Sequence, residues 1–231
     1  MKEYVATNIR NIALVGHSSE GKTALAEAML YDAGAIDRMG KSTDGTTTTD
    51  YDPEEIKRSI SISMALAPVE WKDYKLNVID VPGYFDMVGE MAAALRVVEG
   101  ALIVVGAVSG LSVGTEKAWD FCEKYGASRM VVINQMDREN ANFQQTLEQL
   151  QDKYGTAVVP MQLPIMEGGF AGYVDLVKGQ AYRFSGKEAQ ACDMPEAIQD
   201  EVESIREQLI EGAAGAVDEL MEKYFEEGEL S

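Results

Sequence analysis

Eight consecutive residues, Gly16-His17-Ser18-Ser19-Glu20-Gly21-Lys22-Thr23, combine two glycines, an ammonium group and hydroxyls at a spacing suited to holding a polyanion. They follow the apolar run Asn11-Ile12-Ala13-Leu14-Val15 and lead into Ala24-Leu25-Ala26-Glu27-Ala28-Met29-Leu30. The order strand, loop, helix is the context this spacing needs before it carries meaning. In such a loop the backbone N–H groups from His17 to Ala24 face a phosphate, with the positive end of the helix dipole behind them. Glycine permits the close approach that a Cβ would block. Lys22 would reach the outer phosphates, and the Thr23 hydroxyl would ligate Mg²⁺.

Two further clusters follow at strand ends. Asn77-Val78-Ile79-Asp80-Val81-Pro82-Gly83 closes an apolar run with an acid and places a glycine three residues on. Asp80 can support a metal through water, and the Gly83 N–H can bond a terminal phosphate. Val131-Val132-Ile133-Asn134-Gln135-Met136-Asp137 ends another run with an amide and a carboxylate. A buried Asp137 accepting from the N1–H and N2–H of guanine would reject adenine, which has no such donor pair. Gln135 keeps a long stem beside the base without a charge.

The elements that must position these groups alternate. Strands are predicted near 11–15, over Ile60 to Val69, over Tyr74 to Ile79 after a turn at Lys72-Asp73, and near 101–108 and 130–134. Helices are predicted at 115–125 and 140–154. That alternation reads as a mostly parallel sheet with crossover helices. It stops past 155, where Ala157 to Pro164 reads as extended and 168–176 and 179–184 read as a hairpin. Pro195 is expected to start a helix with Ile198, Val202, Ile205 and Leu209 on one face. A second helix would carry Val217, Leu220, Met221, Tyr224 and Phe225. The polar run Lys41 to Asp50 has few apolar residues and is expected to move unless a ligand orders it.

The bulk numbers exclude several classes. The net charge is −19, and about half of it lies beyond residue 195, where twelve acidic residues face only Arg206 and Lys223. Direct DNA binding is therefore not expected, since phosphate contacts need a basic surface. The acidic stretch reads as a solvated helix face or, less favoured, as a docking face for a basic partner. No run is long enough to cross a bilayer, and no secretory leader precedes Ala6, so no membrane partner is expected. Cys122 and Cys192 lie far apart, which suits a reducing cytoplasm.

The motifs, in this order and spacing, resemble the GTP-binding domain of translational GTPases, elongation factor G and its paralogues most of all. Arg10-Asn11-Ile12, Thr49-Asp50-Tyr51, Arg58-Ser59-Ile60-Ser61-Ile62 and Met136-Asp137-Arg138 agree as well. Met161-Gln162-Leu163-Pro164-Ile165 and Gly172-Tyr173-Val174-Asp175-Leu176 resemble that factor's insertion subdomain. The resemblance implies an α/β fold, a P-loop NTPase-type three-layer sandwich with a mostly parallel sheet, plus a partial α+β insertion subdomain. It implies a GTP-binding core over residues 1–156 and the partial insertion over 157–231, with a hairpin and acidic helices. GTP or GDP is the implied ligand, with Mg²⁺ held by Thr23, Asp80 and, when GTP orders the first switch, Ser61. Lys22, Gly83 and Tyr84 would act at the reacting end, and Asn134, Gln135 and Asp137 at the base. Switch segments are expected near 41–62 and 83–96.

Departures from the pattern bear on rate. Tyr84 stands where the family has the histidine that positions the attacking water, so hydrolysis is expected to be slower. Ser19 replaces an Asp, and Ser59 and Ser61 replace the first-switch Gly and Thr. His17 matches a loop histidine of the family. The family's final core strand, helix and Ser-Ala loop have no counterpart after Asp137. The resemblance thus implies a piece of a longer protein, whose open sheet edge is expected to favour self-association. The leading expectation is a Mg²⁺-dependent GTPase that controls ribosome engagement in translocation or recycling. The alternative is a guanine-nucleotide sensor with little hydrolysis, motivated by Ser19, Tyr84 and Gln135. An ATP-dependent enzyme is disfavoured by Asp137.

Overall fold

The computed structural model describes residues 2–186, 188–215, 220–222 and 226. Its contacts divide the chain into two compact units, residues 1–142 and 143–231. The division falls ahead of the helix at 143–154, which the expected boundary at 156 would have left with the first unit.

In the first unit β1 (Ile9–Gly16) is followed by α1 (Lys22–Asp32), α2 (Pro53–Arg58), β2 (Ala65–Trp71), β3 (Tyr74–Asp80) and α3 (Val88–Ala94). Next come β4 (Gly100–Gly106), α4 (Val113–Tyr125) and β5 (Ser128–Asn134). The sheet order is β2-β3-β1-β4-β5. Only the β2–β3 hairpin is antiparallel; β1 pairs parallel with β3 and β4, and β4 with β5. This is the mostly parallel α/β arrangement the alternation predicts. Central β1 is buried at Ala13, Leu14 and Val15. Consecutive strand residues point to opposite faces, so both faces of β1 are covered. Leu14 joins Ala26 and Leu30 of α1, Ala67, Val69 and Val78 in one apolar cluster. That cluster sets α1 against the sheet and fixes the loop between β1 and α1 at the sheet's carboxyl edge, where ligands of such sheets bind.

The segment from 40 to 64 departs from expectation twice. The run 60–64 is not a strand. Its donors go elsewhere: the N–H groups of Ile62 and Ser63 donate to the Glu55 carboxylate at 2.8 and 3.1 Å, and that of Met64 to Glu90 at 2.7 Å. With its amides satisfied by side chains, the run joins no ladder. The polar run 41–50 is also held in place, with Thr47, Thr49 and Asp50 buried. Helix α2 carries a capping box between Asp52 and Glu55 with Pro53 at its first turn, a start signal the sequence contained.

The second unit holds α5 (Phe143–Tyr154), the antiparallel sheet β6 (Gln162–Met166), β7 (Phe170–Asp175), β8 (Gln180–Ser185) and β9 (Glu188–Cys192), and α6 (Gln199–Ala214). The predicted hairpin is β7–β8. Strand β9 was not anticipated, because its residues alternate too weakly to signal a buried face. Leu163, Ile165, Val174, Leu176 and Ala181 form a core with Val202, against which Ile198, Ile205 and Leu209 pack, so the predicted stripe of α6 covers the sheet. Of the second expected acidic helix, Val217, Tyr224 and Phe225 lie outside the described residues, and Leu220 and Met221 are exposed. Among the described residues no helix is long and apolar enough to cross a membrane.

Candidate functional site

The predicted loop, the strand ends and the polar run meet around one cavity of about 490 Å³ in the first unit. Ser18, Ser19, Gly21, Lys22, Thr23 and Ala24 line it from the loop and the start of α1. Gly83 and Tyr84 line it from the end of β3, and Asp50, Ser59 and Ser61 from the polar run and the end of α2. Gly21 precedes α1 at φ 92°, a conformation that favours glycine. At Gly83 the need is space: a Cβ would lie 2.4 Å from Lys22 Nζ and 2.6 Å from the Ser18 nitrogen.

Lys22 is buried and donates to the carbonyls of His17 at 2.6 Å and Gly16 at 3.2 Å. Burial lowers its pKa to about 8, while Asp80, Glu20 and Asp50 pull the other way. The Thr23 and Ser61 hydroxyl oxygens lie 3.3 Å apart. Beneath them Asp80 Oδ2 accepts from the Thr49 hydroxyl at 2.8 Å, while Asp80 Oδ1 is buried without a hydrogen-bond partner among the described residues. Burial pushes the Asp80 carboxyl above its ordinary range, and hydrogen bonds from Thr49 and Thr23 hold it back. Asp50 is likewise raised by burial, opposed by a hydrogen bond from Ser61. Two hydroxyls, an orphaned carboxylate oxygen and a second crowded carboxylate form a set of hard oxygen donors, which suits a small divalent cation such as Mg²⁺. Asp50 was missed by the sequence reading. It sits in a run of hydroxyl residues and carries no spacing signal of its own.

Other predicted residues face elsewhere. The Glu20 carboxylate is buried and accepts from the Ser109 hydroxyl at 2.9 and 3.0 Å. The His17 ring packs 5.8 Å from that of Phe85 and closely against Gly114, and His17 is not among the residues lining the cavity. Asn134 Nδ2 donates to the Glu20 carbonyl at 2.9 Å and Gln135 Nε2 to the Ser19 carbonyl at 2.9 Å. Both amides thereby tie the end of β5 to the loop. Gln135 also lines the cavity with Arg138, whereas Asp137 is exposed. The expected buried carboxylate at Asp137 is thus not seen: the residue lies in the turn after β5 and faces solvent.

The arrangement can therefore cradle a phosphate chain, hold a divalent cation at its inner end and brace the loop from the strand that ends in Asn134. A profile of the elongation factor Tu GTP-binding domain family matches residues 7–229. The chain belongs to that family. This GTP-binding domain is similar to elongation factor G of Mycoplasma pneumoniae, with 36% identity over 228 residues, covering 97% of the chain and 33% of that protein. A crystal structure from Thermus thermophilus superimposes with a TM-score of 0.91 at 38% identity, covering 97% of this chain and 34% of that one. The domain thus spans about a third of the length of either relative.

Proposed function

We propose that this domain binds GTP with Mg²⁺ and hydrolyses it, within a longer protein whose nucleotide state governs its engagement with the ribosome. One observation carries the reading. Residues of the phosphate loop, the Thr23–Ser61 hydroxyl pair and Gly83 line a single cavity, and Asp80, hydrogen-bonded to Thr23, keeps one buried oxygen without a partner among the described residues. Thr23, Ser61 and Asp80 would hold the ion, with Asp50 behind Ser61, and the ion would offset charge between the outer phosphates. Lys22 would exchange its loop carbonyls for phosphate oxygens. The Gly83 N–H would bond the terminal phosphate, and Tyr84, exposed at the cavity wall, would orient the attacking water through its hydroxyl. Asn134, Gln135 and Asp137 would supply the base end.

Lys22→Ala is expected to abolish GDP binding in a calorimetric titration with Mg²⁺. Binding equal to that of the unaltered domain would overturn the site assignment. A guanine-nucleotide sensor with little hydrolysis is favoured by one feature, the neutral Tyr84 where the resemblance implies histidine. Phosphate release by the intact protein with ribosomes separates the readings. Release lost in Tyr84→Phe supports a water-orienting tyrosine, and release no greater than that of Lys22→Ala supports the sensor.

A further inference from the structure

The buried carboxylate of Glu27 has no part in the mechanism above, yet it grips the polar run from inside α1. It accepts from the Gly40 N–H at 2.7 Å and the Thr48 N–H at 2.5 Å, thereby closing residues 40–48 into a loop. Inside that loop the Lys41 N–H donates to the Thr46 hydroxyl at 3.0 Å, and the N–H groups of Asp44 and Thr46 donate to the Lys41 carbonyl at 3.0 and 3.2 Å. A Cβ on Gly40 would lie 2.2 Å from the Thr46 carbonyl oxygen, so the turn requires glycine there. The backbone of Lys41 is thus fixed from both sides. Its exposed side chain lines the same cavity as Lys22, Thr23 and Gly83, and its ammonium has no ion pair or hydrogen bond among the described residues.

We propose that Lys41 is a phosphate-contacting residue of the nucleotide site, supplied by the first-switch segment, and that Glu27 is its positioning residue. An unpaired ammonium on a cavity wall shared with a phosphate loop has a polyanion as its natural counter-charge. A carboxylate that accepts two backbone N–H groups holds the segment carrying it without competing for the ligand. The inference rests on the nucleotide-binding reading above.

The test measures affinity for a fluorescent, non-hydrolysable GTP analogue across a series of salt concentrations, together with amide hydrogen exchange over residues 40–48. Lys41→Met should bind about three- to fivefold more weakly, as befits an exposed charge pair, with a shallower salt dependence. Lys41→Arg should restore both. Glu27→Gln should weaken binding and speed exchange at Gly40 and Thr48, and should cost nothing further in a Lys41→Met background. Wild-type affinity and salt dependence in Lys41→Met would overturn the proposal. A Glu27→Gln cost undiminished in the Lys41→Met background would overturn the role given to Glu27. Lys41 is on the surface, so its variants decide the matter even where Glu27→Gln fails to fold. Failure of the unaltered domain to bind the analogue would instead overturn the nucleotide-binding reading itself.

Discussion

The same substitution at two glycines of the first unit should have opposite signs. Gly83 and Gly89 lie six positions apart on either side of the turn that leads into α3. A Cβ at Gly83 would meet Lys22 Nζ at 2.4 Å, the His17 carbonyl carbon at 2.6 Å and the Ser18 nitrogen at 2.6 Å. Two of those atoms are backbone of the phosphate loop. The third is tethered by hydrogen bonds to the Gly16 and His17 carbonyls, so it cannot swing aside without leaving them unpaired. The loop itself must move, and overpacking of this kind costs roughly 1–3 kcal/mol. A Cβ at Gly89 would meet nothing within 4 Å, and the residue lies in α3. There alanine gains about 0.5–1 kcal/mol by restricting the unfolded chain and favouring helix. The two variants should therefore differ by about 1.5–4 kcal/mol.

Urea unfolding followed by tryptophan fluorescence reads this directly. Both tryptophans, Trp71 and Trp119, belong to the first unit, so the signal does not mix in the second. Gly83→Ala should also weaken GDP binding by tenfold or more, since about 1.4 kcal/mol of displaced loop is a factor of about 10. Gly89→Ala should bind as the unaltered domain does. Equal stability and affinity in the two variants would refute the claim that the loop and the β3 end are packed to backbone contact.

Asn134→Ala removes the bond from β5 to the Glu20 carbonyl, and a lost hydrogen bond of that kind is worth about 0.5–1.5 kcal/mol, so GDP affinity by calorimetry should fall about two- to tenfold. Burial lowers the Lys22 pKa to about 8 in the folded state against 10.5 for the free side chain. Between those values the unfolded chain holds a proton that the folded one has released, so stability should rise with pH across that window, the burial cost being fully present below it. Nucleotide affinity should run the other way, level below about pH 8 and falling above it as the free site loses its ammonium, which titrations in a pH series would reveal. Cys122 is buried, and burial pushes its thiol up to about 11 against the pull of Arg129, whereas Cys192 is half-buried. Iodoacetamide near neutral pH should therefore modify Cys192 and spare Cys122 until urea is added, as peptide mass spectrometry would show.

What the sequence disclosed follows from how each feature is encoded. The phosphate loop was legible because its chemistry is contiguous and mostly main chain: once Gly16 to Thr23 lies between β1 and α1, the amides converge whatever the side chains do. Side-chain direction was not legible. His17 and Glu20 are loop residues by position, yet one ring turns against Phe85 and one carboxylate turns to Ser109. The apolar stripe of α6 was readable because its partners are apolar as well, and periodicity alone records them. The segment from 40 to 64 was not, because its order comes from acids, most of them outside the segment, whose partners periodicity does not record.

Those acids explain how a run with so few apolar residues is held at all. Glu27, Glu55 and Glu90 each accept backbone N–H groups of the segment, and Asp80 accepts the Thr49 hydroxyl. In a sequence each looks like one more solvated carboxylate. In the fold Glu20, Glu27, Asp50, Glu55 and Asp80 are buried, and among the described residues Lys22 is the buried cation beside them. Backbone donors satisfy Glu27 and Glu55, so their charge is spent on fixing the segment. Asp50 and Asp80 have only hydroxyl donors, and one Asp80 oxygen has none, which is why burial raises both. The imbalance is thus concentrated next to Thr23 and Ser61, where a divalent cation would relieve it and draw the first-switch hydroxyl onto the loop. Glu27, Glu55 and Glu90 hold the segment through its backbone N–H groups, whereas Asp80 both accepts the Thr49 hydroxyl and would face the cation, so most of the segment's anchoring is independent of the ion and Asp80 would couple the two.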